Sequence, residues 1–278
     1  MLKKIRSKYL LKSVFDLLRL NQGLKIFKYS KEFQKILKLQ KNDYKEYSQI
    51  IIELIPENDD DNFLSEKNIF FNYISESNKN NYQVYFNNDL KKEIKRNYFT
   101  KKEKIKKIKL IIDNDITSLK DLFSGCKIIQ EITFMNFKRK NINNMSSLFK
   151  YCLSLQKINF NSFNSENVTN MNYMFYQCIK LEELDLSNFN TQNVTTMQKM
   201  FFECRKLKKI TQSPFFITQK ILDFSYFFYK CYYLNDIDVS NFDFNKDADM
   251  KCMFNSCSKK LIEKIKKQNK NIKKEAFC

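Results

Sequence analysis

The chain has 278 residues, 43% of them hydrophobic and 15% aromatic, enough for a folded core and for two domains. It carries a net charge of +19, with no histidine, no tryptophan, two glycines and two prolines. That composition leaves no Ser/His/Asp or Cys/His nucleophile system, no His-ligated metal and no glycine-rich phosphate loop, so no catalytic, metal or cofactor residue is assigned and a non-enzymatic protein is expected.

Residues 1–50 read as a basic helical module; residues 1–45 alone hold a net +10, from 13 Lys/Arg against 3 Asp/Glu. Lys12 and Asp16 interrupt the apolar run "YLLKSVFDLLRL", and no small-residue cleavage site comes after it, so a signal peptide is not expected. No segment approaches the ~20 apolar residues that span a bilayer, and the expected location is cytoplasmic. Leu10, Val14, Leu17 and Leu18 form one apolar stripe, Gly23 is a stop, and Ser30 caps a second helix carrying Phe33, Ile36 and Leu37. This layout resembles an F-box, without its Leu-Pro opening or closing Trp. The resemblance implies ubiquitin-ligase components as partners of residues 1–50.

Residues 51–104 read as a linker and a small α+β region. The acidic stretch "PENDDDNFLSE" is a solvated linker rather than a calcium loop, because Leu64 stands where such a loop needs glycine. The aromatic runs Phe70-Phe71 and Tyr82 to Phe86 suggest strands or a hairpin. Residues 91–109 are rich in lysine, and Ile105, Ile108, Leu110 and Ile112 form a strand-like lead-in, the N-terminal cap of a repeat array.

From residue 105 to 257 the chain is repetitive. Cys126, Cys152, Cys178, Cys204, Cys231 and Cys257 recur at a step of 26 residues with a single step of 27, and Phe123, Phe149, Phe175, Phe201, Phe228 and Phe254 keep the same register. A second column reads Phe137, Phe163, Phe189, Phe215 and Phe242, which places the one extra residue in the loop 216–220. Six copies at this period indicate a solenoid, in which each copy buries its apolar face against its neighbours. In the clearest copy, Val168, Met171, Met174, Phe175 and Cys178 fall on one face of a helix, with Thr169 as its N-cap. Leu184 and Leu186 then alternate with Asp185 and Ser187, a short strand with one buried face. Asn141, Asn167 and Asn193 precede each helix and bond turn backbone. Residues 258–278 form a basic C-terminal capping helix with Leu261, Ile262 and Ile265 inward.

The run "LEELDLSNFNTQNVTTMQKMFFEC" resembles the BspA-like leucine-rich repeat of 26 residues, found in mycoplasma and other bacterial surface proteins and expanded in protists. The fold class expected is therefore α/β: a leucine-rich-repeat-like solenoid with parallel stacked short strands, helices on the opposite side, and a mainly helical N-terminal region before it. Surface display, which the bacterial relatives have, is not carried over without a leader. The six periodic cysteines are expected to be free, buried thiols that act as small hydrophobes.

Function then falls to the outward side of the strands. One column, Glu131, Lys157, Glu183, Lys209 and Asp236, alternates in sign and forms a charge ladder. The next, Thr133, Asn159, Asp185, Thr211 and Asp238, is polar and turns acidic; beside it run Met135, Asn161, Ser187, Ser213 and Ser240. These columns are nearly free of basic residues, which argues against nucleic acid on this face and for another protein. Asp185 and Asp238, without a charge partner in their own column, are the expected contacts. The alternatives are an F-box-type adaptor, and a binder of nucleic acid or anionic membrane through the basic flanks.

Overall fold

The computed structural model of the chain describes residues 49–57, 66–73, 76–113, 116–239 and 242–278. The F-box-like layout and the acidic run 58–65 lie outside them, as does Ser240. Among the described residues the fold is mixed, mostly short strands with one α-helix, and no helix is long and apolar enough to cross a membrane.

The first strand, β1 (Ile50–Pro56), buries every second residue, as "IIIELIP" dictates. It pairs antiparallel on one side with β5 (Ile108–Ile112) and on the other with β6 (Ile129–Asn136). Beyond β5 lies β3 (Tyr82–Phe86), again antiparallel, so the aromatic run does form a strand. A two-residue pair, β2 (Asn68–Ile69) with β4 (Tyr98–Phe99), packs Phe70, Phe71 and Phe99 into the same core. The lead-in strand β5 is thus one place removed from the first copy. The strand in contact with that copy is β1, at the start of the stretch read as linker.

The copies themselves pair in parallel. β6 lies beside β7 (Lys157–Asn159) with Ile132 opposite Ile158, and β8 (Glu183–Leu186) lies beside β9 (Lys209–Gln212) with Leu184 opposite Ile210. Ile132, Ile158, Leu184, Ile210 and Ile237 all point into the core, as the alternation requires. The Phe rings of the first column form a stack through that core: Phe123, Phe149, Phe175 and Phe201 lie 5.8, 5.4 and 5.3 Å apart at interplanar angles of 4 to 16°.

The expected helices are absent from the described copies. In their place each Met/Phe/Cys run makes consecutive tight turns, and the reason is visible in the backbone. A residue in the left-handed region interrupts the run every fourth position: Asp121 and Gly125, Ser147 and Tyr151, Tyr173 and Gln177, Lys199 and Glu203. Alternate amides consequently point at the next copy instead of back along their own segment. Met171, Tyr173, Phe175 and Gln177 donate to the carbonyls of Thr196, Gln198, Met200 and Phe202 at 2.8–3.1 Å, while Met174, Tyr176 and Cys178 close three-residue turns within the copy. Turns recurring every three or four residues bring the same side chains inward as a helix does, so the hydrophobic spacing alone does not tell them apart.

The cap residues shift accordingly. Thr169 and Thr195 hydroxyls donate to the backbone of the preceding copy at 3.2 Å, and the turns are begun one residue later by Asn144, Asn170, Asp223 and Asp249, which accept the amide two residues on. Asn167 and Asn193 do bond backbone, reaching Lys140 O and Glu166 O of the copy before. The cysteine column is a ladder too: Cys152, Cys178, Cys204 and Cys231 donate their thiols to the carbonyls of Phe123, Phe149, Phe175 and Phe201 at 3.0–3.1 Å.

The extra residue sits elsewhere than the sequence suggests. Phe216, 6% exposed, takes the place in the second phenylalanine column and stacks on Phe242 at 5.6 Å, while Phe215 is 62% exposed. Ile210 is still in register, so the added residue lies between Ile210 and Ser213, and it turns Ser213 inward.

Both ends are closed. At the first copy Asn72 donates its backbone amide to Leu122 O (2.6 Å) and its side-chain amide to Asp121 O (2.9 Å) and Ser124 O (2.7 Å). At the last, helix α1 (Lys259–Gln268) buries Leu261 and Ile265, with Ser258 as its N-cap. The final residues fold back as a further half-copy. Cys252 N and Phe254 N donate to Glu275 O and Ala276 O at 2.8 and 2.7 Å, and Phe277 stacks on Phe254. Cys278 is bonded to Cys252, a sequence separation of 26 that matches one repeat.

Candidate functional site

The strand side faces outward where the alternation placed it. Lys157, Glu183, Asp185, Lys209, Thr211, Asp236 and Asp238 are exposed; Glu131, Thr133 and Asn159, flanked by β1 and β7, are half-buried. The charge column is in register: Glu131 stands opposite Lys157, Glu183 opposite Lys209, and Lys209 bridges to Asp236. Lys209 Nζ and Asp236 lie 3.6 Å apart, the pair of this column that closes to contact.

The second column is more occupied than its side chains suggest. Asp185 accepts the amide of Ser187 at 2.8 Å, as Asn159 accepts that of Asn161, so both shape the turn leaving their strand. Asp238 accepts from Gln268 at 3.2 Å, which ties the last copy to α1.

Four of the ten expected contact residues converge. Lys209, Thr211, Asp236 and Asp238 line a cleft of about 450 Å³ floored by Phe216 and Phe242 and edged by Pro214. The added residue in the fourth copy shapes this cleft, because it displaces Pro214 and Phe215 outward while Phe216 keeps its place in the core. Glu131 and Lys157 lie at the far end of the array.

A second cleft, of about 500 Å³, opens between β2 and the first three copies and is lined by Lys67, Lys127, Ile128, Leu153 and Lys180. Near it Glu57 accepts Ser154 Oγ at 2.5 Å and Lys180 Nζ at 2.9 Å; burial alone would raise its carboxyl, but these two donors outweigh burial and lower it. The periodic thiols are buried, Cys257 only partly. Burial raises all of them, Cys204 and Cys257 to about 12, which keeps them protonated as hydrogen-bond donors. Among the described residues no group of His, Cys, Asp and Glu could hold a metal ion.

A family model described as "Mycoplasma protein of unknown function, DUF285" matches residues 117–215 and 215–275, more than half of the chain. The chain belongs to the DUF285 family. The match spans the six copies and most of the C-terminal cap, and it accords with the BspA-like character of the repeat. Its two segments meet at Phe215, beside the added residue. No curated protein and no solved structure matches this DUF285 chain.

Sequence reasoning misses the turn side of this DUF285 protein. There Tyr173, Tyr176, Phe202, Tyr226 and Tyr229 form a partly exposed aromatic row interleaved with lysines. The signal lies in two columns that read as the solvated side of a helix, in which polar residues of the end copies give way to Tyr, Phe and Lys in the middle ones.

Proposed function

We propose that this protein is a non-enzymatic interaction scaffold, a leucine-rich-repeat-like solenoid that presents the outward side of its strands to another protein. The observation that carries this reading is the contrast between the two sides of each strand. The inward position stays Ile or Leu in every copy from Ile132 to Ile237. The outward neighbours change from Thr133 to Asp238 without disturbing the register. The cleft of Lys209, Thr211, Asp236 and Asp238, with an apolar floor and polar walls, has the composition of a site that takes a side chain from a partner.

The test uses the full chain as bait. Thr211→Lys with Asp236→Lys changes only exposed side chains, so the melting temperature should stay close to that of the wild type while captured partners are lost. Identical sets of captured proteins for the two baits overturn the reading. The same purification tests location. A bridge between Cys252 and Cys278 in protein from its own cell means an oxidising compartment, whereas free thiols there support the cytoplasmic placement.

A further inference from the structure

The turn side presents a second surface, independent of the strand face, and its composition is not dictated by the fold. At the left-handed position of each turn the six copies carry Asp121, Ser147, Tyr173, Lys199, Tyr226 and Cys252. Three residues on, Ser124 and Asn255 stand in the end copies where Tyr176, Phe202 and Tyr229 stand in the middle ones. The end copies make the same turns with small or polar side chains, so the framework does not need aromatic rings here. The backbone penalises them, moreover. Tyr173 at φ 58° and Tyr226 at φ 57° hold bulky side chains in a region that favours Gly, Asn and Asp. Bulky residues kept in a disfavoured conformation at a surface point to a use for them.

The rings hold two ammonium groups. Lys150 Nζ lies 5.2 Å from the ring centres of Tyr151 and Tyr173 and 5.5 Å from that of Tyr176. Lys199 Nζ lies 5.2 Å from Tyr226, 5.7 Å from Tyr173 and 5.9 Å from Phe202. Each is held by three rings from its own and adjoining copies, and Tyr173 is shared by both. Neither has a carboxylate partner among the described residues. Glu203, whose charge reaches Tyr176, is already engaged by Arg205 at 2.7 Å and Lys230 at 3.1 Å. Two positive charges are therefore fixed in place and left without counter-charge.

We propose that this central patch docks an acidic segment of a partner protein, with carboxylates seated on Lys150 and Lys199. The ring geometry selects carboxylates over bases or sugars. Tyr176, Phe202 and Tyr229 are stacked on one another at 4.7 and 4.8 Å, so their faces are taken and their electropositive edges remain for a ligand. The lysines stand two copies apart, about 10 Å at the usual strand spacing. A polyproline-II segment rises about 9 Å in three residues and presents every third side chain on the same side, whereas residues three apart in a β-strand face opposite ways. The fitting ligand is thus a segment in polyproline-II form with acidic residues three apart.

The test is fluorescence anisotropy of a labelled peptide of Pro-Pro-Glu repeats, which holds the polyproline-II form, titrated with the full chain at low and physiological salt. Binding should weaken tenfold or more in Lys150→Gln with Lys199→Gln. Tyr173→Asn suits the left-handed backbone, so it should weaken binding while the melting temperature holds or rises, which a purely structural role for the ring would not produce. Asp236→Lys, on the strand face, should leave the affinity unchanged, which separates this surface from the strand-face cleft. The inference fails if the peptide does not bind, or if the lysine variant binds as wild type, because other basic segments then do the work. It also fails if a labelled single-stranded oligonucleotide binds more tightly than the peptide with the same dependence on Lys150 and Lys199, since the patch is then a nucleic-acid surface.

Discussion

Replacing Cys278 with Ser tests how the array is closed at its C-terminal end. The bridge to Cys252 closes a loop of 26 residues. Cross-linking a loop of that size lowers the entropy of the unfolded chain by the equivalent of about 3–4 kcal/mol. In the folded state the variant keeps the hydrogen bonds from Cys252 N and Phe254 N and the stack of Phe277 on Phe254, so the loss should be close to that entropic amount. Removing residues 274–278 altogether also strips those two amides of their acceptors, at about 1–3 kcal/mol each where they stay shielded from water. Repeat arrays fray from their ends, so the damage should be local before it is global. Hydrogen exchange read by mass spectrometry should accelerate in peptides covering 250–257 while those covering 145–152 stay protected. Urea unfolding without reductant should show the wild type more stable than Cys278→Ser, and a reductant should abolish that difference. Equal exchange at 250–257 in the two proteins would refute the idea that the terminus acts as a tethered half-copy.

Three further outcomes rest on single groups of the fold. Asn72→Asp removes the side-chain donor that serves Asp121 O and Ser124 O and aims a carboxylate at those carbonyls, so it should cost more stability than Asn72→Ala in urea unfolding. Glu103 is lowered from 4.5 to about 2, chiefly by its bond to the Arg96 guanidinium, against burial that raises it and with help from Thr100. Its folded value lies below the unfolded one, so the contribution is complete above pH 4.5 and is lost as pH falls toward 2. Solvent screening holds that contribution to about 1–2 kcal/mol, and Glu103→Gln should flatten the acid limb of the stability curve. Cys126, Cys152, Cys178, Cys204 and Cys231 should resist alkylation in the native protein, with the partly buried Cys257 reacting first, and all six should react at once on unfolding.

What is legible in the sequence is the set of residues that face inward. The Ile/Leu strand position, the first phenylalanine column and the cysteine column are all buried as their period requires, save for a half-buried Cys257. Turns read as helices because steps of three and four residues belong equally to a helix and to a succession of tight turns. The distinguishing signal is Asp121 and Gly125, residue types that tolerate a left-handed backbone, four apart; Ser147, Tyr173 and Lys199 at equivalent places conceal it. Phe215 and Phe216 are adjacent and identical, and only packing decides which of them belongs to the second column. On the strand face, alternation assigns the outward residues of the first two columns correctly, whereas Ser213 of the third turns inward. It cannot reveal that Asp185 and Asp238 are hydrogen-bonded, since their partners are a backbone amide and a residue 30 positions away.

The direction of the turn hydrogen bonds ties these features together. In every copy the alternate amides of the turn point toward the following copy, and the carbonyls that accept them point toward the preceding one. A row built this way has unlike ends: bare carbonyls at the first copy and bare amides at the last. The two closures match that polarity. Asn72, with a backbone N–H and a side-chain NH₂, supplies donors to the carbonyl end. The terminal segment supplies acceptors to the amide end, through Glu275 O and Ala276 O. Exchanging the two would leave carbonyls facing carbonyls and amides facing amides. Neither end can therefore take another copy, its own or a second chain's, without first displacing its closure. With both described ends closed, two faces run along the array: the strand face, where polar identity varies over a fixed core, and the turn face, where Lys150 and Lys199 sit among rings that the backbone alone would not have chosen.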